Sequence, residues 1–410
     1  MSDINIFFKS TFNKASLFLC SYFVLIVLCA DFITKVTLWS GFDFHRYGSI
    51  VKFSIELIFI ISVLVNQTRN HKIAYLMYLL IGCFIIGQVG MVLLNKNIDG
   101  DFKDNFVTII SFVFLPLFIL ACFAQKNHLI IIQKNVKIIK VAALVNLPFI
   151  ILGIITNSNI LKSYPNSDRF GFNGFLTSSS SASYFYIALM IILYFQYIKL
   201  KKRKYLLVLI IQVFASLLMG TKTIWFFLIL LSFIHFCVII NKNYRRFFQT
   251  LTTLLLVLTL IFWNKTKMFI VGLFSFGEEI YNEHGFISVI LSTRDLYLKE
   301  TLTHVIENGT ILNILFGGIN VKIIRVEFEF VNMFYFFGVF GTIIYFLFLK
   351  EAFYRENRSL LKILLFFAFM ITGALSGGLF YSVSSSVLLY IAFRYVDIFT
   401  KTNDFETNNK

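Results

Sequence analysis

The sequence predicts an all-α polytopic membrane protein of about twelve spanning helices with one large loop outside the membrane. Three observations carry that prediction. The 410 residues are 58% hydrophobic and 14% charged, whereas a soluble domain is roughly 25% charged, and the mean hydropathy is +0.81. Apolar runs long enough to cross ~30 Å of hydrocarbon recur from end to end. Lysine and arginine gather on alternate connections between those runs, as the positive-inside rule requires. The net charge of +16 therefore follows from bilayer topology. The expected partner is the lipid bilayer and not nucleic acid.

Taken in order, the expected spans are 15–38, 50–65, 73–94, 106–124, 137–156, 182–198, 205–219, 223–240, 248–263, 331–349, 360–378 and 379–396. The stretch MSDINIFFKSTFNK leads into the first run without a small-residue cleavage site, so that run reads as a retained span. The pair 205–219 and 223–240 is short, and a re-entrant pair there keeps the same topology. Pro116 and Pro148 fall within spans, where a missing N–H and ring clash favour a kink. Gly373 and Gly377 have a small-xxx-small spacing suited to close packing. The five cysteines (Cys20, Cys29, Cys83, Cys122 and Cys237) lie in apolar runs without metal-like spacing and read as buried hydrophobes.

Basic clusters at Lys9 and Lys14, at Arg69 and Lys72, at Lys126 to Lys140, in KLKKRK at Lys199 to Lys204, and around Lys350 to Lys362 all fall on one side. That side is cytoplasmic and holds both termini. The expected organisation is one integral membrane domain over 1–410, a large outer loop at 264–330 and a cytoplasmic tail at 397–410. The 264–330 interval mixes Phe, Ile and Leu with charge, which argues against disorder. Loops of that length are usually functional, so an ordered cap over a site in the membrane is expected.

Charges also occur inside the apolar runs. Asp31 and Lys35 lie four residues apart near the outer end of the first span, and Lys52 and Glu56 near the outer end of the second. Each spacing puts a pair on one helical face, and the cost of burying ions in lipid turns them toward protein or water. A structural ion network holding the first hairpin is the favoured reading, with a polar cavity wall as the alternative.

Three places on the outer side could carry chemistry. The loop NSNILKSYPNSDRFGFNGFLTSSSSAS contains Lys162, Asp168 and Arg169. The turn MGTKT contains Lys222. The long loop contains STRD at Ser292 to Asp295, LFGG at Leu315 to Gly318, Arg325, and EFEF at Glu327 to Phe330. Arg169, Lys222, Arg294 and Arg325 place positive charge on a face otherwise poor in it. A planar guanidinium suits bidentate binding of phosphate oxygens. Glu327 and Glu329 could take a proton from a hydroxyl. Any one of these charges could also be a solvated or headgroup-facing surface charge. Asp99 and Asp101 form an Asp-Gly-Asp sequence that reads as a turn, with a divalent ion as the open alternative. No metal or cofactor is expected. Ser178 to Ser181 read as a small-residue helix start, because no histidine shares their loop.

These elements resemble the O-antigen polymerase and ligase superfamily in their order: RFG at Arg169 to Gly171, MGTKT, STRD, LFGG, and EFEFVNMFYFFGVFG through Gly338 and Gly341. The resemblance covers roughly 168–345 and the plan of about twelve spans with one large outer loop. It implies a GT-C-like membrane glycosyltransferase of the Wzy type in a bacterial inner membrane. Such an enzyme transfers a growing glycan from undecaprenyl diphosphate onto the next lipid-linked repeat unit at the periplasmic face, with a chain-length regulator protein among its partners. Arg169 and Arg294 fall where that family has functional arginines; Lys222 stands in place of an arginine, and STRD in place of Ser-Gly-Arg. The ligase branch carries a loop histidine, but His284 and His304 lack the expected context, and Glu327 and Glu329 occupy that place. A lipid-linked oligosaccharide flippase is the rival of another class, although it predicts two related halves and short loops.

Overall fold

The computed structural model describes residues 2–44, 46–66, 70–93, 101–125, 127–165, 169–239, 260–272, 277–319, 326–354 and 359–407, with isolated positions between 250 and 258. Among these residues the chain is helical, and an isolated antiparallel bridge between Lys162 and Phe172 is its β pairing. The long elements are α1 (Ser2–Trp39), α2 (Tyr47–Asn66), α3 (His71–Leu93), α4 (Asp101–Ala124), α5 (His128–Thr156), α6 (Ser179–Leu200), α7 (Arg203–Leu217) and α8 (Lys222–Ile234). Five shorter helices follow: α9 (Trp263–Gly272), α10 (Gly277–His284), α11 (Phe286–Leu291), α12 (Arg294–Asn308) and α13 (Ile311–Phe316). The chain closes with α14 (Glu329–Tyr354), α15 (Leu360–Ser376) and α16 (Val383–Thr407).

Seven of these helices, α1 to α6 and α14, are long and apolar enough to cross a membrane; Lys222–Val238 and Leu360–Ser376 are shorter apolar helices. This is an all-α protein with the make-up of an integral membrane protein. Part of the ninth expected span, 248–263, lies outside the described residues. The last helix begins at Val383, not 379, and runs on past 396 to Thr407. The described residues of the interval 264–330 include five short helices, α9 to α13.

The core is centred on α6, which is buried without interruption from Ala182 to Gln196. A helix apolar on all sides belongs in the middle of a bundle, and α6 packs against α7, α8 and α16. Its polar atoms are paired: the Tyr186 hydroxyl accepts from Asn146 Nδ2 (3.1 Å), and Gln196 Oε1 accepts from Lys140 Nζ (2.7 Å). Pro116 and Pro148 sit inside α4 and α5 without interrupting either helix. Breaks occur instead at Tyr22 in α1 and at Gly338 in α14. At the first, Asn135 of α5 inserts into the ladder. Its Nδ2 donates to Cys20 O (2.8 Å) and its Oδ1 accepts from Val24 N (3.1 Å), so both ends of one i→i−4 pair are satisfied by a side chain.

The charges of the first hairpin pair between helices and not along them. Lys52 Nζ reaches Asp31 Oδ1 at 2.7 Å and joins α2 to α1. Lys35 is buried and donates to Asn173 Oδ1 (2.8 Å), Gly174 O (2.7 Å) and Leu176 O (2.7 Å), anchoring the loop before α6 onto α1. The Lys52–Asp31 pair is the inter-helix link expected of a structural ion network, whereas Lys35 bonds neutral acceptors and Glu56 lines a crevice.

Candidate functional site

The described motifs meet at one end of the bundle, through backbone crossings that only glycine allows. Gly171 of RFG lies against the turn between α7 and α8, and Phe172 N donates to Leu218 O at 3.0 Å. A Cβ on Gly171 would sit 2.2 Å from Met219 O, and one on Gly220 (φ +66°) would sit 2.0 Å from Phe170 O. No side chain fits such a crossing. Asn146 of α5 holds the other flank of the loop, accepting from Phe175 N at 2.9 Å. RFG and MGTK, about fifty residues apart in sequence, are thereby one structural unit.

Lys222, the first residue of α8, precedes that helix's apolar stretch and reaches toward the long segment. Its Nζ donates to Ser292 Oγ (2.8 Å) and Val289 O (3.1 Å). Ser292 and Thr293 both have left-handed backbone (φ 54° and 65°). They form the corner between α11 and α12, which Asp295 braces by accepting from Ser288 Oγ. Burial first, and then the charges of Arg169 and Arg294, lower the Lys222 pKa from 10.5 to about 8. Lys222 bonds Ser292, two residues before Arg294, and its turn crosses the loop of Arg169 at Gly220 and Phe170, so the three cations are brought to one neighbourhood.

Arg294 opens α12. Its Nε and Nη2 donate to Glu327 Oε2 at 3.1 and 3.0 Å, and its Nη1 donates to Leu375 O at the end of α15. Glu327 has left-handed backbone (φ 58°), which directs it away from the helix that starts two residues later. The loop after α15 closes over it: a Cβ on Gly377 would lie 2.7 Å from Glu327 O. Arg169 stacks its guanidinium on Tyr164, 4.1 Å from the ring centre.

Glu329, expected as the base, is placed differently. It is buried, and its Oε1 accepts the N–H groups of Phe380 and Tyr381. It fastens the α15–α16 connection to the start of α14 and does not face the cations. The acidic group paired with one of them is Glu327, on Arg294. Arg325 and Asp168 lie outside the described residues, as does the side chain of His304. His284 lies 3.5 Å from its neighbour Glu283, and Ser178 caps α6 by accepting from Ser181 N.

LFGG is a packing element. Gly318 N donates to Phe336 O (2.9 Å), and a Cβ on Gly317 would lie 2.1 Å from that oxygen. A Cβ on Gly338 would sit 2.4 Å from Leu315 C, so the break in α14 makes room for the turn. Among the described residues no group of three or more His, Cys, Asp or Glu side chains is placed to hold a metal ion.

Sequence reasoning missed Leu375 O as the second partner of Arg294, since a backbone acceptor leaves no trace in residue type. It also missed Asn146, for which a signal existed: a lone amide in an apolar run marks a place where polar backbone must be met. Comparison with family models, with curated proteins and with solved structures finds no match.

Proposed function

We propose that this chain is a membrane glycosyltransferase of the Wzy type, which polymerises undecaprenyl-diphosphate-linked oligosaccharide units into a surface polysaccharide such as O-antigen. The observation that carries the reading is the neighbourhood of Arg169, Lys222 and Arg294, three cations from three separate motifs, with the carboxylate of Glu327 paired to Arg294. A diphosphate leaving group calls for several preorganised donors, and an attacking sugar hydroxyl calls for an acceptor. In the proposed reaction the acceptor hydroxyl attacks the anomeric carbon of the growing glycan. The bond from that carbon to the diphosphate oxygen breaks, and the electron pair leaves with the diphosphate. Arg294 exchanges Glu327 for the departing phosphates, and the released carboxylate receives the hydroxyl proton. Lys222, positioned by Ser292, and Arg169, positioned by Tyr164, add charge without needing to reorganise.

In this reading the site faces the periplasm, the termini are cytoplasmic, and the unit count of about twelve spans stands with it. The test is gene deletion with complementation, scored by surface glycan length. Single-repeat glycan restored to long chains by the wild-type gene, but not by Arg294→Ala protein present at equal level, supports the reading. Absence of all glycan points to a flippase, and long chains left on the carrier point to a ligase.

A further inference from the structure

We propose that a crevice between α2, α3 and α4 holds the isoprenoid chain of a lipid-linked substrate, an inference that rests on the function proposed above. The crevice encloses about 630 Å³, within the ~300–1,000 Å³ of small-molecule sites. Apolar residues such as Met77, Ile81, Phe84 and Ile110 form its walls, and Glu56 and Gln88 interrupt them. From Met77 to Gln88 it follows α3 for about 16 Å at 1.5 Å per residue. Its shape and chemistry suit a chain and not a head group. Among the described residues no lysine or arginine lines it, whereas a phosphate site needs cations.

The head group must then lie beyond one end, and the contacts indicate which. Gln88 Nε2 donates to Gly318 O (3.3 Å), and Asn105 Nδ2 donates to the same oxygen (3.2 Å). That end of the crevice therefore abuts the glycine turn of the long segment. Phe84 stacks on Phe336 with ring centres 5.5 Å apart, and Phe336 lies seven residues after Glu329, about 10 Å along α14. A chain seated here thus ends beside the helix whose approach carries Glu327, the partner of Arg294. A phospholipid tail is the competing occupant of any apolar crevice in a bilayer.

The test uses full-length protein in phosphatidylethanolamine–phosphatidylglycerol nanodiscs, with undecaprenyl phosphate bearing a diazirine in its chain. Labelling should fall on α2, α3 and α4, unlabelled undecaprenyl diphosphate should compete it away, and added phospholipid should not. Ile81→Trp should lower labelling and raise the donor KM about tenfold, with kcat kept. Labelling elsewhere, or equal competition by phospholipid, overturns the crevice and leaves the polymerase reading standing. Specific labelling in a protein that never polymerises repeat units in the same discs keeps the crevice as a lipid site and overturns the polymerase.

Discussion

Two charged clusters, formed by similar residues, differ in how they are enclosed. Lys362, Asp397 and Arg394 form one of them, with Lys362 Nζ 2.6 Å from Asp397 Oδ1 and Arg394 Nη1 3.5 Å from Asp397 Oδ2. Their side chains are 0%, 3% and 4% exposed. Lys362 also donates to Phe353 O, so the cluster ties together α14, α15 and α16. Arg294 and Glu327 belong to the other cluster, and are 23% and 52% exposed. Sealed ions are held by partners they cannot exchange, and losing one strands the rest. A half-open pair can give up its partner to a ligand at little cost. Ion pairs alone do not mark a site; the freedom to exchange partners does.

The largest expected effect tests the sealed cluster. Asp397→Ala removes the carboxylate between two buried cations, and breaking such a pair costs about 3–5 kcal/mol. Thermal unfolding of the purified protein should show a large drop, and membrane levels should fall with it. Any Asp397→Ala protein that does fold should keep its activity per molecule. The half-open cluster should behave in the opposite way. Arg294→Ala should lower the polymerisation rate by ~10²–10³, equivalent to about 2.7–4 kcal/mol of barrier, while the unfolding temperature stays close to wild type. If both variants lose stability equally, the distinction between the clusters fails.

A third substitution sits between those extremes. Gly220→Ala puts a Cβ against Phe170 O at a backbone conformation that L residues avoid, with an expected cost of about 1–3 kcal/mol. Because that crossing joins the Arg169 loop to the Lys222 turn, rate and stability should fall together. Ala at Gly82, where a Cβ would meet nothing within 4 Å, serves as the control and should change neither.

The clusters also differ in how much of each was legible in the sequence. Hydropathy identified the long helices, because a span must be continuously apolar whatever it packs against. The cations of the half-open cluster were legible because charge is sparse on that face, and Gly171 and Gly220 because each lies two residues from a cation. Glu327 and Glu329 could not be told apart: they are two residues apart, and the choice depends on a left-handed φ at Glu327 and on N–H groups fifty residues away. Lys362 read as a basic residue of a connecting loop, because its partner Asp397 lies 35 residues away. Asn135 gave no warning of the break at Tyr22, since proline is the usual signal and neither proline supplies one here.

The smallest effect concerns the protonation of Lys222. Burial and its two cationic neighbours lower its pKa to about 8, so the positive charge it offers a diphosphate is lost as pH rises through that value. The polymerisation rate should therefore decline above pH 8. Lys222→Arg, whose guanidinium stays charged throughout, should keep its rate through the same range even if its rate at neutral pH is lower. Loss of fold gives a different signature. Between about 8 and the ordinary 10.5 the unfolded chain holds this proton more tightly than the native one, so this group makes the fold more stable as pH rises. A decline in rate accompanied by steady or rising thermal stability assigns the titration to the site. A wild-type rate that stays flat to pH 10 would mean that Lys222 does not face the reacting diphosphate, and would leave Arg169 and Arg294 to bind it without a third cation.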